Sequence, residues 1–360
     1  MTIFDLVDSK PIAAYWNELE SNRIPFLGEA LFPAQKRVGL ELSWVKGSNG
    51  LPVALNPSAF DTKPVIRGRI GVTKLETELP FFRESMRLGE KDRQQILQYM
   101  NNANSPYLTD ILRRVYDDAK NLVDGALVQP ERMRMGLLVD GKISIAAPSN
   151  KGGVTYAYDY DPNGTWRSAN TAALTTTAMW SNVSTANPVK DILDAKRHQR
   201  VNYGVEITRA ICTTKTWGYL LQNEAIKNDM NVLNGQKIIL TDSMLQQYLL
   251  QKCGITFVVY DKMYKDEAGN QKQYYPDNYV TFLPGYALGN TFFGTTPEEA
   301  DLMSGQLSDA SVSVVNTGIA ILTKKESLPV NIITSVSEIV LPSFERMDDI
   351  YVLHVSTAGE

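Results

Sequence analysis

The residues best suited to catalysis or metal binding are few. The chain has two histidines, His198 and His354, and two cysteines, Cys212 and Cys253. Two imidazoles are too few for most metal sites, and no HExxH or CxxC spacing occurs. Asp194 stands one helical turn before His198 and could orient its ring, although charges on an exposed helix face explain the same spacing. The cysteines lie in a strand-like run and a helical run, which predicts reduced, buried side chains.

Nucleotide and acid–base sites are also disfavoured. No Walker A motif, dinucleotide GxGxxG or GxSxG elbow occurs; the glycine-containing run 285–294 lacks a lysine, and we predict no phosphate-binding helix after it. Three carboxylate pairs are adjacent in sequence: Asp117–Asp118, Glu298–Glu299 and Asp348–Asp349. Adjacent side chains diverge on a helix or strand, so we interpret these pairs as solvated faces. We therefore expect no cofactor, no metal and no enzymatic activity.

Composition predicts a folded protein. The 360 residues are 43% hydrophobic and 21% charged, which is enough apolar material for two or three packing units. The formal net charge is -4, so any contact with DNA must be local or indifferent to sequence. No apolar run is long enough to cross a bilayer. Asp5 and Asp8 stand where a secretory signal needs basic and apolar residues, which predicts a cytoplasmic protein.

The elements that would position functional residues include a long two-stranded arm. The runs 37–45 and 71–82 predict strands, and the stretch between them combines turn residues with isolated apolar side chains. A two-stranded hairpin is at best marginally stable alone. Its cover is therefore either the rest of this chain or a neighbouring copy. Between Lys63 and Arg93 the charges have mixed sign, which suits intersubunit ion pairs or a solvated face.

The regions on either side of the arm differ in pattern. Pro11, Pro25 and Pro33 predict an extended, interrupted N-terminal segment. Beyond the arm, a Ser105 cap and a one-sided apolar stripe predict a helix of about 20 residues that needs a sheet or helix beneath it. The stripe consists of these residues: Leu108, Ile111, Leu112, Val115, Ala119, Leu122 and Val123.

The rest of the chain mixes helices and strands. The sequence predicts a turn at 130–136, a tight hairpin at 137–146, and a linker with a domain boundary over the Gly-, Ser-, Thr- and Asn-rich stretch 150–187. Helices alternate with strands after it. A polar excursion predicts a second hairpin between strands 255–260 and 279–283. Three short strands follow, so the fold class is α+β.

Several stretches, in their order along the chain, carry a resemblance to a known family. They are residues 274–284 (YYPDNYVTFLP), Gly289-Asn290-Thr291, the closing segment 335–355 (SVSEIVLPSFERMDDIYVLHV), and Gly164-Thr165-Trp166 followed by 188–194 (PVKDILD). The chain resembles the major capsid proteins of tailed bacteriophages with the HK97-type fold. Specifically, it is similar to the lambda-like family called phage major capsid protein E.

The resemblance implies an α+β HK97-type fold with five parts. They are an N-terminal arm (1–36), an extended hairpin loop (37–85), a peripheral domain with a spine helix and linker (86–186), an axial α/β domain (187–318) and C-terminal strands that return to the peripheral domain (319–360). The spine helix is expected to pack through Leu108, Ile111, Leu112, Val115 and Leu122. The loop is expected to contact a neighbouring subunit through these residues: Trp44, Leu51, Val53, Leu55, Phe60, Arg67, Arg69 and Lys74.

The implied function is mechanical. Hexamers and pentamers of the chain would close an icosahedral shell around packaged double-stranded DNA, contacted without sequence specificity, in a virion assembled in the host cytoplasm. No Lys, Asn and Glu set marks a covalent crosslink. The prolines before residue 37 leave no room for a long helical scaffold domain, which implies a separate scaffolding protein. Portal and decoration proteins are further expected partners, with no membrane.

Other classes of function remain alternatives. An encapsulin-like shell would share the fold and enclose an enzyme cargo in place of DNA. Another phage structural protein, such as a tail-tube protein, would have long hairpins but would lack the spine helix and the two-domain order. An α/β enzyme would need a convergent set of titratable residues in one pocket, which the sequence does not offer.

Overall fold

The computed structural model describes residues 8–20, 26–39, 41–46, 73–100, 106–146, 155–231, 239–304, 310–327 and 330–357. The helices are α1 (Ser9–Glu20), α2 (Leu27–Leu31), α3 (Glu90–Met100), α4 (Pro106–Asp140), α5 (Thr165–Asn170), α6 (Pro188–Tyr203), α7 (Thr214–Gln222), α8 (Glu224–Met230), α9 (Asp242–Cys253) and α10 (Pro297–Ser304). Short 3-10 turns occur at Thr176–Ala178 and Met347–Asp349.

The strands are β1 (Ala34–Lys36), β2 (Glu41–Lys46), β3 (Thr73–Glu78), β4 (Phe81–Leu88), β5 (Lys142–Ala146), β6 (Thr155–Asp159), β7 (Thr171–Ala173), β8 (Ile207–Cys212), β9 (Thr256–Val259), β10 (Met263–Lys265), β11 (Gln271–Gln273), β12 (Tyr279–Pro284), β13 (Thr291–Phe293), β14 (Ala310–Val315), β15 (Ile319–Ser327), β16 (Val330–Pro342) and β17 (Tyr351–His354). Helices and strands are interspersed along the chain, so the predicted α+β class is confirmed. No helix among the described residues is long and apolar enough to cross a membrane.

The first of two compact units falls within Met1–Ser43, Glu76–Met133 and Asn290–Ser343. Its six-stranded sheet has the order β1-β13-β16-β15-β14, and β4 also pairs with β16. Strand β16 is 13 residues long and pairs antiparallel with β4, β13 and β15. It is therefore the central strand of this sheet.

Helices α1 and α4 share the core of this unit with the sheet. The core residues from both helices and the strands are Ile12, Ala13, Trp16, Ala119, Leu122, Val123, Leu127, Val315, Ile319, Ile321 and Val336. The indole Nε1 of Trp16 donates to Asp124 Oδ1 at 3.2 Å. The predicted extended N-terminal segment is thus wrong over Ser9–Glu20. Pro11 lies in the first turn of α1, where a backbone N–H has no intrahelical partner to lose.

Helix α4 is longer than the sequence predicts. Its 35 residues extend about 52 Å at 1.5 Å per residue. The predicted turn at 130–136 and hairpin at 137–146 are wrong, because the helix continues through the buried Pro130 to Asp140. It ends at Gly141, whose φ of 64° is the left-handed conformation of a helix C-terminus. Strand β5 pairs instead with β6.

The second unit falls within Trp44–Leu75, Arg134–Gly289 and Phe344–Glu360. Its five-stranded sheet has the order β7-β17-β12-β8-β9. Strands β8 and β9 are parallel, and α7, α8 and α9 form the crossover between them. The core of the unit includes Trp180, Trp217, Phe257 and Phe282.

Two sequence interpretations of this unit are wrong. Strand β9 does not form a hairpin with β12, because β8 lies between them; the polar excursion forms its own hairpin, β10–β11. The described part of the expected linker, 155–187, contains β6, α5 and β7, and it buries Trp166 and Trp180. The predicted end of α9 at Gly254 is confirmed, with a φ of 67°.

Candidate assembly surface

Strands β2 and β3 pair with each other in a two-stranded sheet. We call these two strands the arm. The pairing confirms the predicted hairpin, although β3 is shorter than the predicted strand 71–82 and β4 follows as a separate strand. Among the expected contact residues, Trp44 lies in β2 and Lys74 in β3. The remainder lie outside the described residues: Leu51, Val53, Leu55, Phe60, Arg67 and Arg69.

The chain leading into the arm is held by Lys36, the last residue of β1. Its Nζ is 2.5 Å from Glu299 Oε2 and donates to the carbonyl oxygen of Gly294 at 3.0 Å. The Glu299 side chain is 9% exposed, whereas that of Lys36 is 31% exposed. Strand β1 also pairs in parallel with β13. This side of the arm is therefore fixed by one buried carboxylate as well as by backbone pairing.

The chain leaving the arm is held by Arg83 in β4. Arg83 lies opposite Ser337 of β16, so the two side chains share one face of the sheet. Both bind Glu298: Arg83 forms an ion pair with Oε1, and Ser337 Oγ donates to Oε2 at 2.8 Å. The Arg83 guanidinium also lies 4.7 Å from the Phe81 ring centroid. We call Lys36, Arg83, Glu298, Glu299 and Ser337 the arm root.

The interpretation of Glu298 and Glu299 as a solvated face is therefore wrong. Each residue is 7% exposed, and each has a cationic partner. The sequence carries a signal for the helix that presents them, since Thr296-Pro297 is a cap followed by a first-turn proline. Thr296 Oγ1 accepts from the Glu299 backbone N–H at 3.3 Å. The cations that pair with them lie more than 200 residues away in sequence, so local patterns could not reveal the burial.

The expected packing residues of the spine helix all lie in α4. Leu122 is buried at 6% exposure and Val115 is half-buried. Leu108, Ile111 and Leu112 lie toward the start of the helix; their packing stays a prediction. The structure adds residues that the shorter predicted helix missed, namely Leu127 and Met133, both buried.

The histidine and cysteine side chains, which could have catalytic or metal-binding roles, make structural contacts. His198 lies 5.1 Å from the Tyr351 ring, and burial lowers its pKa. Asp194 pairs with Lys190 at 3.0 Å. Burial raises the pKa of both thiols, Cys212 and Cys253, and a high thiol pKa makes a poor nucleophile. Across the described residues, no three His, Cys, Asp or Glu side chains form a group that could hold a metal ion.

The sequence profile of phage major capsid protein E matches residues 8–339. The chain belongs to this family. No curated protein matches it. Among solved structures, it is similar to a protein assigned as a prophage capsid protein of Escherichia coli CFT073, with 12% identity, coverage of 97% of this chain and 99% of that chain, and a TM-score of 0.57. A phage-related protein from Bordetella bronchiseptica RB50 is similar at 12% identity, with 98% of each chain covered and a TM-score of 0.54.

Family membership and fold agree with the resemblance seen in the sequence. The family match extends over nearly the whole chain, and the fold similarity covers nearly all of both chains. The HK97-type α+β fold and the membership in the capsid family are thus confirmed. The chain is a structural protein of the phage virion that forms the capsid shell.

Proposed function

We propose that this shell is icosahedral, is built of hexamers and pentamers, and encloses packaged phage double-stranded DNA without reading its sequence. The observation that carries the proposal is the family match over residues 8–339. The formal net charge of -4 gives the protein as a whole no general attraction for nucleic acid. Assembly takes place in the host cytoplasm, and the protein has no enzymatic activity of its own.

The arm is proposed to contact a neighbouring subunit. A two-stranded sheet of six-residue strands is too small to be stable alone. Contacts by Trp44 and Lys74, and by the loop residues between them, would supply the missing cover. In the same proposal, the first unit corresponds to the expected peripheral domain, the second unit contains most of the expected axial domain (187–318), and α1 packs within its own subunit.

Scaffolding, portal and decoration proteins are proposed as separate partners. Helix α1 supports the proposal of a separate scaffolding protein. Its Ile12 and Trp16 are each 1% exposed in the core of the first unit, so this helix is part of the folded subunit and not a removable scaffold segment. A segment that contributes core residues cannot be cut away without loss of stability. We therefore expect α1 to remain in mature particles, which denaturing gels and intact-mass measurement can check. A covalent ladder or loss of residues 9–20 would contradict this expectation.

Electron microscopy and nuclease protection test the main proposal. The protein expressed alone should give few uniform shells and many aberrant assemblies, and particles from infected cells should contain nuclease-protected DNA. Shells that instead enclose a protein cargo would favour the encapsulin-like alternative. Tubes, or an absence of closed particles in infected cells, would refute the shell.

Deletion of residues 51–56 tests the assignment of the arm. We expect a soluble chain with unchanged helical content, measured by circular dichroism, and no closed shells in infected cells, where the wild type should form them. Leu122→Asp is the control for loss of folding, because it places an unpaired charge in the core and should prevent folding. A deletion variant that fails to fold would show that these residues serve their own subunit.

A further inference from the structure

The arm root holds the chain on both sides of the arm, at the same sequence distance from each strand. Lys36 stands five residues before β2 begins, and Arg83 stands five residues after β3 ends. Their partners, Glu299 and Glu298, are consecutive residues in the first turn of α10. One turn of one short helix therefore binds the chain as it enters the arm and again as it leaves.

Helix geometry explains why adjacent glutamates can serve two separate strands. Consecutive side chains on an α-helix point about 100° apart. Glu298 lies over β4 and β16, where it meets Arg83 and Ser337. Glu299 points toward β1, where it meets Lys36. The first-turn position also favours both negative charges, because the helix N-terminus carries a partial positive charge.

Burial of the two carboxylates gives these contacts more weight than fully exposed ion pairs have, although the side chains of Arg83 and Lys36 remain 44% and 31% exposed. Both carboxylates are largely removed from water, at 8% and 9% side-chain exposure. An exposed ion pair contributes little to stability, whereas a buried carboxylate that loses its cation is left without compensation. If either strand moves away from α10, its cation loses its partner, and the carboxylate on α10 is either left buried without a cation or exposed to water. The arrangement resists displacement of either side of the arm.

We propose that Glu298 and Glu299 are positioning residues that clamp the two ends of the arm to α10 and so fix the direction in which the arm leaves the subunit. Glu299 controls the entering strand β1, and Glu298 controls the leaving strand β4. The two contacts act separately, since they share no cation. The consequence for assembly rests on the proposed function of the arm, whereas the clamp itself does not.

Hydrogen exchange of the unassembled full-length chain, followed by mass spectrometry, tests the clamp. Glu299→Gln keeps the side-chain shape and removes the charge; it should speed exchange near β1, including the Arg37 amide that donates to Phe293 O, by roughly tenfold. Glu298→Gln should do the same for β4 and leave β1 unchanged. Asp194→Asn, at an exposed ion pair of the second unit, is the matched control and should change neither strand.

A double-mutant cycle separates the clamp from a general structural role. Lys36→Met and Glu299→Gln should each accelerate exchange at β1, and their combination should add little beyond either one. Unchanged exchange at both strands would overturn the proposal. So would equal acceleration throughout β15 and β16, because that result would mean that the glutamates only stabilise the whole unit.

Assembly provides a second readout that distinguishes the two proposals. The Glu298→Gln, Glu299→Gln double variant should melt as one folded species and give fewer closed shells than the wild type under the same conditions. If the wild type forms no closed particles in infected cells, the proposed function fails, and the exchange experiment still tests the clamp. If the double variant shows faster exchange but closes shells normally, the link between the clamp and assembly is refuted.

Discussion

Replacing Trp16 by alanine should strongly destabilise the first unit, because this side chain lies in its core. Trp16 is 1% exposed, and a buried tryptophan removes roughly 200 Å² from water. At about 25 cal/mol per Å² that area corresponds to about 5 kcal/mol, an upper value because the unfolded chain is partly compact. A loss of about 4 kcal/mol lies within the usual range for this substitution.

Thermal unfolding of the unassembled protein measures this loss. For a unit of about 150 residues, 4 kcal/mol corresponds to a fall in Tm of roughly 8–16 °C. Trp16→Phe keeps most of the apolar area but removes the indole N–H that donates to Asp124. The lost hydrogen bond should lower stability by about 1 kcal/mol, in addition to the effect of the small change in volume. Asn17→Ala, at the exposed neighbouring position, should stay within about 0.5 kcal/mol. A Trp16→Ala protein that melts within about 2 °C of the wild type would refute the place of α1 in the core.

Three further results are expected. Gly141→Ala should destabilise the second unit by about 2 kcal/mol or more, because φ is 64° and a Cβ would collide with the Met347 methyl group; Gly164→Ala has a similar φ, with no atom within 4 Å, and should cost about 1 kcal/mol in denaturant unfolding. Burial lowers the pKa of His198 below its usual 6.5, so the unfolded state binds the proton first and stability should fall as pH drops from about 6.5 toward the folded-state pKa. His198→Phe should shrink that pH-dependent fall in Tm, and an identical pH profile would refute it. Iodoacetamide should label Cys212 and Cys253 only after denaturation, and rapid labelling of the native protein at pH 7.5 would show that the thiols are accessible.

Local signals predicted several elements well, because the groups that define them are close in sequence. Helix α9 has Thr241 as its cap and Gly254 at its end, and the side chain of Thr241 accepts from the Met244 N–H. The proline and cap at Asn187-Pro188 mark the start of α6 in the same way. Each of these signals satisfies a backbone group within a few residues, so tertiary contacts are not needed to decide it.

The errors arose where distant residues decide the outcome. Pro130 costs its helix one hydrogen bond, yet buried neighbours such as Leu127 and Met133 keep α4 continuous. The order of strands in the second sheet depends on which strand lies beside β12, and alternation along the chain cannot show this. The burial of Glu298 likewise depends on Arg83, which the sequence places 215 residues earlier. The family resemblance predicted the fold, whereas the arm root is visible only in the three-dimensional structure, because its residues are far apart in sequence.

The packing of α1 against β14 has a consequence for synthesis of the protein on the ribosome. Ser9 Oγ lies 2.9 Å from Ser313 Oγ, so two groups separated by 304 positions meet in the finished unit. At about 5–20 residues per second, a ribosome needs roughly 15–60 seconds to make the second group after the first. Helix α4 can cover part of α1 sooner, because Asp124, the acceptor for Trp16, follows it by 108 positions, but the sheet side of this core is completed only when β14, β15 and β16 have been made. A half-made subunit therefore has no finished first unit to offer to a growing particle.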